Sequence, residues 1–265
     1  MGDVELPFQP GTVSQDVLRR PVFLLGGMNA LLLQLAEPGV AAGVAEHSEF
    51  ANRIFDRLRH TIDLMVEIGL GDPSDAERAT YEMEEAHRGV AGSMPDGSTY
   101  DASDPELRLW VLATLIATVL EVEETYVGEF GEEERRRYIQ ESHAVARALG
   151  VDLPPDIGAF RRYLHQRLEN LEVTPQARQV ADHVLHARIG LIPPAALAPL
   201  RVVTADLLPP RLRAAYGLYL SPRQRRWLRR VQGLSRMIFP RLPHWIRTFP
   251  ILRPTTGVRE LLRER

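Results

Sequence analysis

The sequence predicts an all-α fold of about ten to twelve helices in a single domain, on three observations. Apolar residues recur at three- and four-residue spacing through nearly every long segment. No segment alternates with the period of two that a half-buried strand needs, and no Asn-Gly pair joins two such runs. Nor does any motif repeat at a fixed period. At 265 residues with 45% hydrophobic content the chain can bury one large core, and no Gly/Ser linker divides it.

Taken in order, Val22 to Ala36 is almost wholly apolar and predicts a central buried helix. At about fifteen residues it is too short to span a bilayer comfortably. Pro38 suits a first helical turn and opens the small-residue stretch VAAGVAEHSEF, whose Ala and Gly let a helix or a flat ligand approach closely. Residues 50 to 68 follow as an amphipathic helix carrying Phe50, Ile54, Phe55, Leu58, Ile62, Met65 and Val66. GLGDPSD supplies the next turn, and Asp72 or Ser74 can cap a helix running roughly from Asp75 to Val90, with His87 near its C-terminal end.

MPDGSTYDASDP is a turn-rich connection, and Asp104-Pro105 is a cap and first-turn pair for a helix whose apolar centre is Trp110 to Leu120. EEERRRYIQESHAVARALG predicts a surface helix ending at Gly150. PPDIGAFRRYLHQRLENL and TPQARQVADHVLHARIGL predict two more helices. Shorter helices follow Pro193-Pro194 around PAALAPLRVVTADLL, PPRLRAAYGLYL, SPRQRRWLRRVQGLSRMIF and PRLPHWIRTF.

Composition removes several chemistries. The chain has no cysteine, which excludes disulfides, iron–sulfur clusters, thiolate ligands and cysteine nucleophiles. All 32 cationic residues are arginine, so Schiff-base and P-loop lysines are absent as well. Asp3 and Glu5 at the start do not make a secretion signal, and a cytoplasmic location is expected.

The net charge of −3 conceals an asymmetry, because residues 201–265 hold 15 Arg against Asp206, Glu260 and Glu264. The remainder is correspondingly acidic. Two readings stay open: the halves attract each other across one fold, or the basic region lies on an anionic membrane with Trp227, Phe239, Trp245 and Phe249 as anchors. No nucleic-acid recognition motif accompanies the charge.

Arg57 and Thr61, one turn apart, sit with His60 in an apolar helical background, and His87 follows in AHRGVAG. A core helix needs no such groups on its inner face, so the cluster points to a buried cofactor, with haem b the best candidate. Arginine pairs with a buried propionate better than lysine, and threonine adds a hydrogen bond. Without cysteine, histidine is the obvious iron ligand.

The blocks LLGGMNALLLQLAEPGVAAGVAEHSEF, RLRHT, AHRGVAG, YDASDPELRLWVLATLI and the Tyr138 to Gly150 helix, in this order across Pro21 to Tyr163, resemble the haem-dependent oxygenase superfamily. That superfamily contains the latex-clearing protein (rubber oxygenase) and the membrane-bound oxygenase of mycophenolic acid biosynthesis. The resemblance implies a globin-like or related helical packing around haem b, with His87 as proximal iron ligand and Arg57 and Thr61 close to the haem.

It also marks departures. His60 stands where many relatives have arginine and the latex-clearing proteins a lysine that approaches the iron, so His60 is a candidate distal ligand or acid–base group. Glu37 and Leu112 stand where many relatives have histidine. Glu37 is then either a general base in the pocket or a charge at a helix start, and His47 either lines the pocket or links two helices.

The reading that results is an oxygenase or oxidase acting with dioxygen on an apolar, isoprenoid- or polyketide-like small molecule. The helices at 22–36 and 110–120 would shape its pocket. Two alternatives are a non-haem di-iron oxidase using Glu84-x-x-His87, of which the chain has one copy where two are needed, and a non-catalytic haem or lipid carrier. His183 and His186 share a helix face without an evident third ligand.

Overall fold

The computed structural model describes residues 11–47, 60, 63–64, 67–68, 73–94, 96–128, 130–186 and 194–247. Most of this is helical. After α1 (Val13–Leu18), capped by the Thr12 hydroxyl, come a 3₁₀ turn (Pro21–Gly26), α2 (Gly27–Leu35), α3 (Pro38–His47) and α4 (Pro73–His87). A hairpin of β1 (Ala91–Ser93) and β2 (Thr99–Asp101) leads to α5 (Pro105–Val122), which ends in one π turn (Glu123–Val127). Then follow α6 (Glu132–Ala148), α7 (Ile157–Asn170), α8 (Pro175–His186), α9 (Ala198–Leu207), α10 (Pro210–Ala215), α11 (Pro222–Ile238) and α12 (His244–Arg247).

Several ends form as the sequence predicts. Asp104 accepts from the Glu106 amide at the start of α5, and Gly150 takes φ +66 just beyond α6. Two expectations change. The helix expected over 22–36 is divided at Gly26, where 3₁₀ winding gives way to α2. Gly26 lies hard against α5, since a Cβ there would clash with Thr118 Cγ2. The turn-rich connection supplies one strand of an antiparallel pair whose other strand precedes it, with Gly92 opposite Tyr100. Its reversal is set by Gly97 at φ +87 and by the Asp96 carboxylate accepting from the Ser98 amide, a local chemistry that needs no Asn-Gly pair.

Helix α5 is the axis of the fold. Leu112, Ile116 and Val119 enter one apolar cluster with α6 and α7, Trp110 a second with α2, α3 and α8, and Val122 a third with α9 and α11. A helix apolar all round has to be buried on every side. Its polar side chains are paired within the core: Asn29 donates to Thr118 at 3.0 Å and Gln34 to Thr114 at 3.1 Å. Buried Glu123, in the π turn, meets Arg20 at 2.6 Å.

These bonds join α2 directly to α5, so the expected pocket helices pack against each other. Among the described residues no single helix is long and apolar enough to cross a membrane; the pair Pro21–Leu35 and Pro38–Glu46, which qualifies together, bends by 102°.

Candidate functional site

Two polar foci lie at opposite ends of α3, whose ten residues span about 15 Å. Small residues let the hairpin lie flat along this helix. A Cβ on Gly39 would meet Tyr100 Cβ at 3.4 Å, and one on Gly43 would meet the Tyr100 ring at 3.4 Å and Val90 at 3.6 Å.

At the C-terminal end the buried Tyr100 hydroxyl donates to Glu46 Oε2 at 2.6 Å. It does so by crossing Gly92, where a Cβ would stand 2.6 Å from that oxygen. Burial, and then the Glu46 carboxylate, push the phenol up to about 12, so it remains a donor at neutral pH. Gly43 of AAGVAEH and Gly92 of AHRGVAG thus serve one purpose: they bring two distant blocks around one tyrosine.

His87 closes α4 beside this corner, three residues before Val90. Its ring is exposed, and Nδ1 lies 2.6 Å from the Met83 carbonyl oxygen. A nitrogen facing a carbonyl carries the proton, so Nδ1 donates and, in the neutral ring, Nε2 is an acceptor. His143, His183 and His186 make the same contact with the carbonyl four residues back. Like His186, which closes α8, His87 sits at its helix end; it differs in lying two residues before Gly89 at φ +76.

His47 is the last residue of α3, and His60 is helical and exposed. Arg57 and Thr61 lie outside the described residues. Among the described residues no three His, Asp or Glu side chains group as metal ligands, so neither Glu84 with His87 nor His183 with His186 gains a partner set.

The second focus is at the N-terminal end of α3. Glu37 accepts from Arg167 at 2.8 Å, and the same guanidinium lies 5.5 Å from the centre of the Trp110 ring. Burial raises the Glu37 carboxyl above its ordinary value, with Arg167 and then the Gly39 amide opposing the shift. Glu37 is therefore both a helix-start charge and an ion-pair partner, and the length of α3 separates it from His47. Beside it a cavity of about 530 Å³ is lined by Glu106 and Leu109 of α5, residues 152–155, and the Tyr163–Arg167 face of α7. Burial pushes the Tyr163 phenol up to about 12.

Sequence reasoning did not single out Tyr100, Arg167 or Trp110 as site residues. The Thr-Tyr-Asp alternation before Asp104 was the one local sign for Tyr100. Arg167 reaches a carboxylate 130 residues away, for which no local signal exists.

A family model described as "ER-bound oxygenase mpaB/B'/Rubber oxygenase, catalytic domain" matches residues 15–237. An uncharacterized protein of Mycobacterium bovis and one of Mycobacterium tuberculosis are each 28% identical to the chain over 228 residues, covering 79% of this chain and 87% of theirs. No solved structure matches.

Proposed function

This chain belongs to the family of ER-bound oxygenases mpaB/B′ and rubber oxygenases, and on that premise we propose that it is a haem b-dependent oxygenase using dioxygen on an apolar small molecule of isoprenoid or polyketide type. The observation that carries the haem reading is His87, an exposed imidazole at a helix end with Nδ1 tied to the Met83 carbonyl. That tautomer presents Nε2 to a metal, and the second bond orients the ring and strengthens it as a donor. In a chain without cysteine this donor fits haem iron.

Bound haem would supply the activation of dioxygen. Arg57 would hold a propionate through paired hydrogen bonds, with Thr61 adding another. His47 would line the same end of α3. His60 would serve as a second histidine toward the haem or move a proton at its ring nitrogen. Glu37, a half-buried carboxyl raised by burial, would hold a proton at the edge of the cavity by α7. Leu109 and Leu153 give that cavity apolar wall for substrate. We take residues 1–265 as one domain, with 21–163 carrying the cofactor and 201–265 its basic flank.

Protein produced with ample haem should show a Soret band that His87→Ala lacks. A colourless wild-type protein, or one holding iron without porphyrin, overturns the assignment. Dioxygen uptake driven by polyisoprene or a polyketide separates an oxygenase from a carrier, which consumes none.

A further inference from the structure

Helix α11 is fastened along one edge and open along the other. On the inner edge Leu228 is buried, Gln232 donates to Asp206 at 2.7 Å, the Ser235 hydroxyl donates to the Tyr126 carbonyl, and Arg236 Nε donates to the Thr125 carbonyl at 3.0 Å. Along the outer edge Trp227, Leu234 and Ile238 are 39%, 54% and 42% exposed. Spacings of seven and four residues align these three on one stripe. Arg223 and Arg230 stand within one turn of Trp227 and border it.

The charge on this helix is not neutralised from within. Among the described residues Arg223, Arg225, Arg226, Arg229 and Arg230 have no acidic partner within ion-pair distance, although the rest of the chain is strongly acidic. Direct ion pairing of α11 with the acidic body is therefore not how the two halves are joined. The apolar stripe has no counterpart either. Outside residues 219–246, Tyr81 is the sole exposed large hydrophobic residue among the described ones, so a second copy would have to cover the stripe with its own stripe, setting its Arg223 and Arg230 against those of the first. A nucleic-acid backbone would engage the arginines and leave the aliphatic side chains in water. A lipid surface with anionic headgroups satisfies both.

We propose that α11 docks on an anionic bilayer with its axis in the membrane plane, Trp227, Leu234 and Ile238 at the headgroup boundary and Arg223 and Arg230 on lipid phosphates. The exposed Tyr219 and Ile246 flank the helix and extend the apolar contact. This docking does not depend on the oxygenase reading, because its readout is partitioning and not turnover.

The test is co-sedimentation of the full chain with vesicles of phosphatidylcholine alone and of phosphatidylcholine with one-quarter phosphatidylglycerol. Binding to the anionic vesicles should be at least roughly tenfold stronger and should fall as salt rises. Arg223→Gln with Arg230→Gln should remove that preference. Leu234→Ser with Ile238→Ser should weaken binding at low salt, with circular dichroism confirming the fold. In the unaltered chain, tryptophan emission should shift to the blue with anionic vesicles alone. Equal or absent binding to both vesicles, variants that bind as wild type, a salt-sensitive dimer without vesicle binding, or stronger binding to RNA than to vesicles would each overturn the proposal.

Discussion

At the C-terminal end of α3 a tyrosine hydroxyl passes over a glycine to reach Glu46 and leaves the neighbouring His87 ring open, whereas at the N-terminal end Glu37, Arg167 and Trp110 close on one another. The difference is one of commitment. The charges at the N-terminal end pair with each other, although Arg167 Nε and Trp110 Nε1 are buried there without a hydrogen-bond partner, so a newcomer there must displace an ion pair and a stacked ring. The other end is held by a phenol–carboxylate hydrogen bond and by close backbone approach, which leaves an imidazole nitrogen uncommitted. One end of α3 thus meets a paired polar cluster, and the other meets the hairpin that follows α4 and its open imidazole.

The sharpest way to break this comparison is to remove the receptive donor. His87→Ala should lower haem retention by at least about tenfold, read from Soret absorbance per protein after gel filtration, while urea unfolding of the apo-protein changes little. Equal retention would remove His87 as ligand and, with it, the distinction between the ends. His60→Ala should retain the band and alter the ferric spin state; an unchanged spectrum would rule out a distal bond from His60.

At the committed end, Arg167→Ala leaves Glu37 half-buried without its cation and strips the Trp110 ring. A loss of about 2–4 kcal/mol in urea unfolding is expected, and a loss within error would show that the pair is mere surface contact. Gly92→Ala should cost about 1–3 kcal/mol by pushing Tyr100 away from Glu46. Tyr100→Phe, which removes the hydroxyl without crowding, should cost about 1 kcal/mol. If Gly92→Ala in a Tyr100→Phe background still costs as much as alone, the steric account of this corner fails.

The smallest effect is a pH slope. Because burial raises the Glu37 carboxyl above 4.5, the folded state binds a proton more tightly there than the unfolded state does. The resulting stability is complete below 4.5 and is lost as pH rises through the raised folded value. Glu37→Gln should therefore flatten part of the decline in unfolding free energy on the alkaline side of 4.5. Identical slopes in the two proteins would mean that Arg167 cancels the burial completely.

The sequence by itself determined the helical class, most helix ends and the family, because these depend on local rules: three-and-four spacing of apolar residues, Asp104 before Pro105, Gly150 after α6, and blocks whose order survives in the chain. It also marked His87 as a candidate ligand, since a block such as AHRGVAG is contiguous. The tertiary structure alone decided which blocks meet. Gly92 reads as an ordinary turn residue until Tyr100 lies across it, and Glu37 as a helix-start charge until Arg167 arrives from α7. Gly26 likewise reads as an ordinary helix residue until Thr118 on α5, far along the chain, lies against it. The physical reason is range: capping and periodicity act within a few residues, whereas close approach and ion pairing join groups whose separation in sequence carries no information about their separation in space.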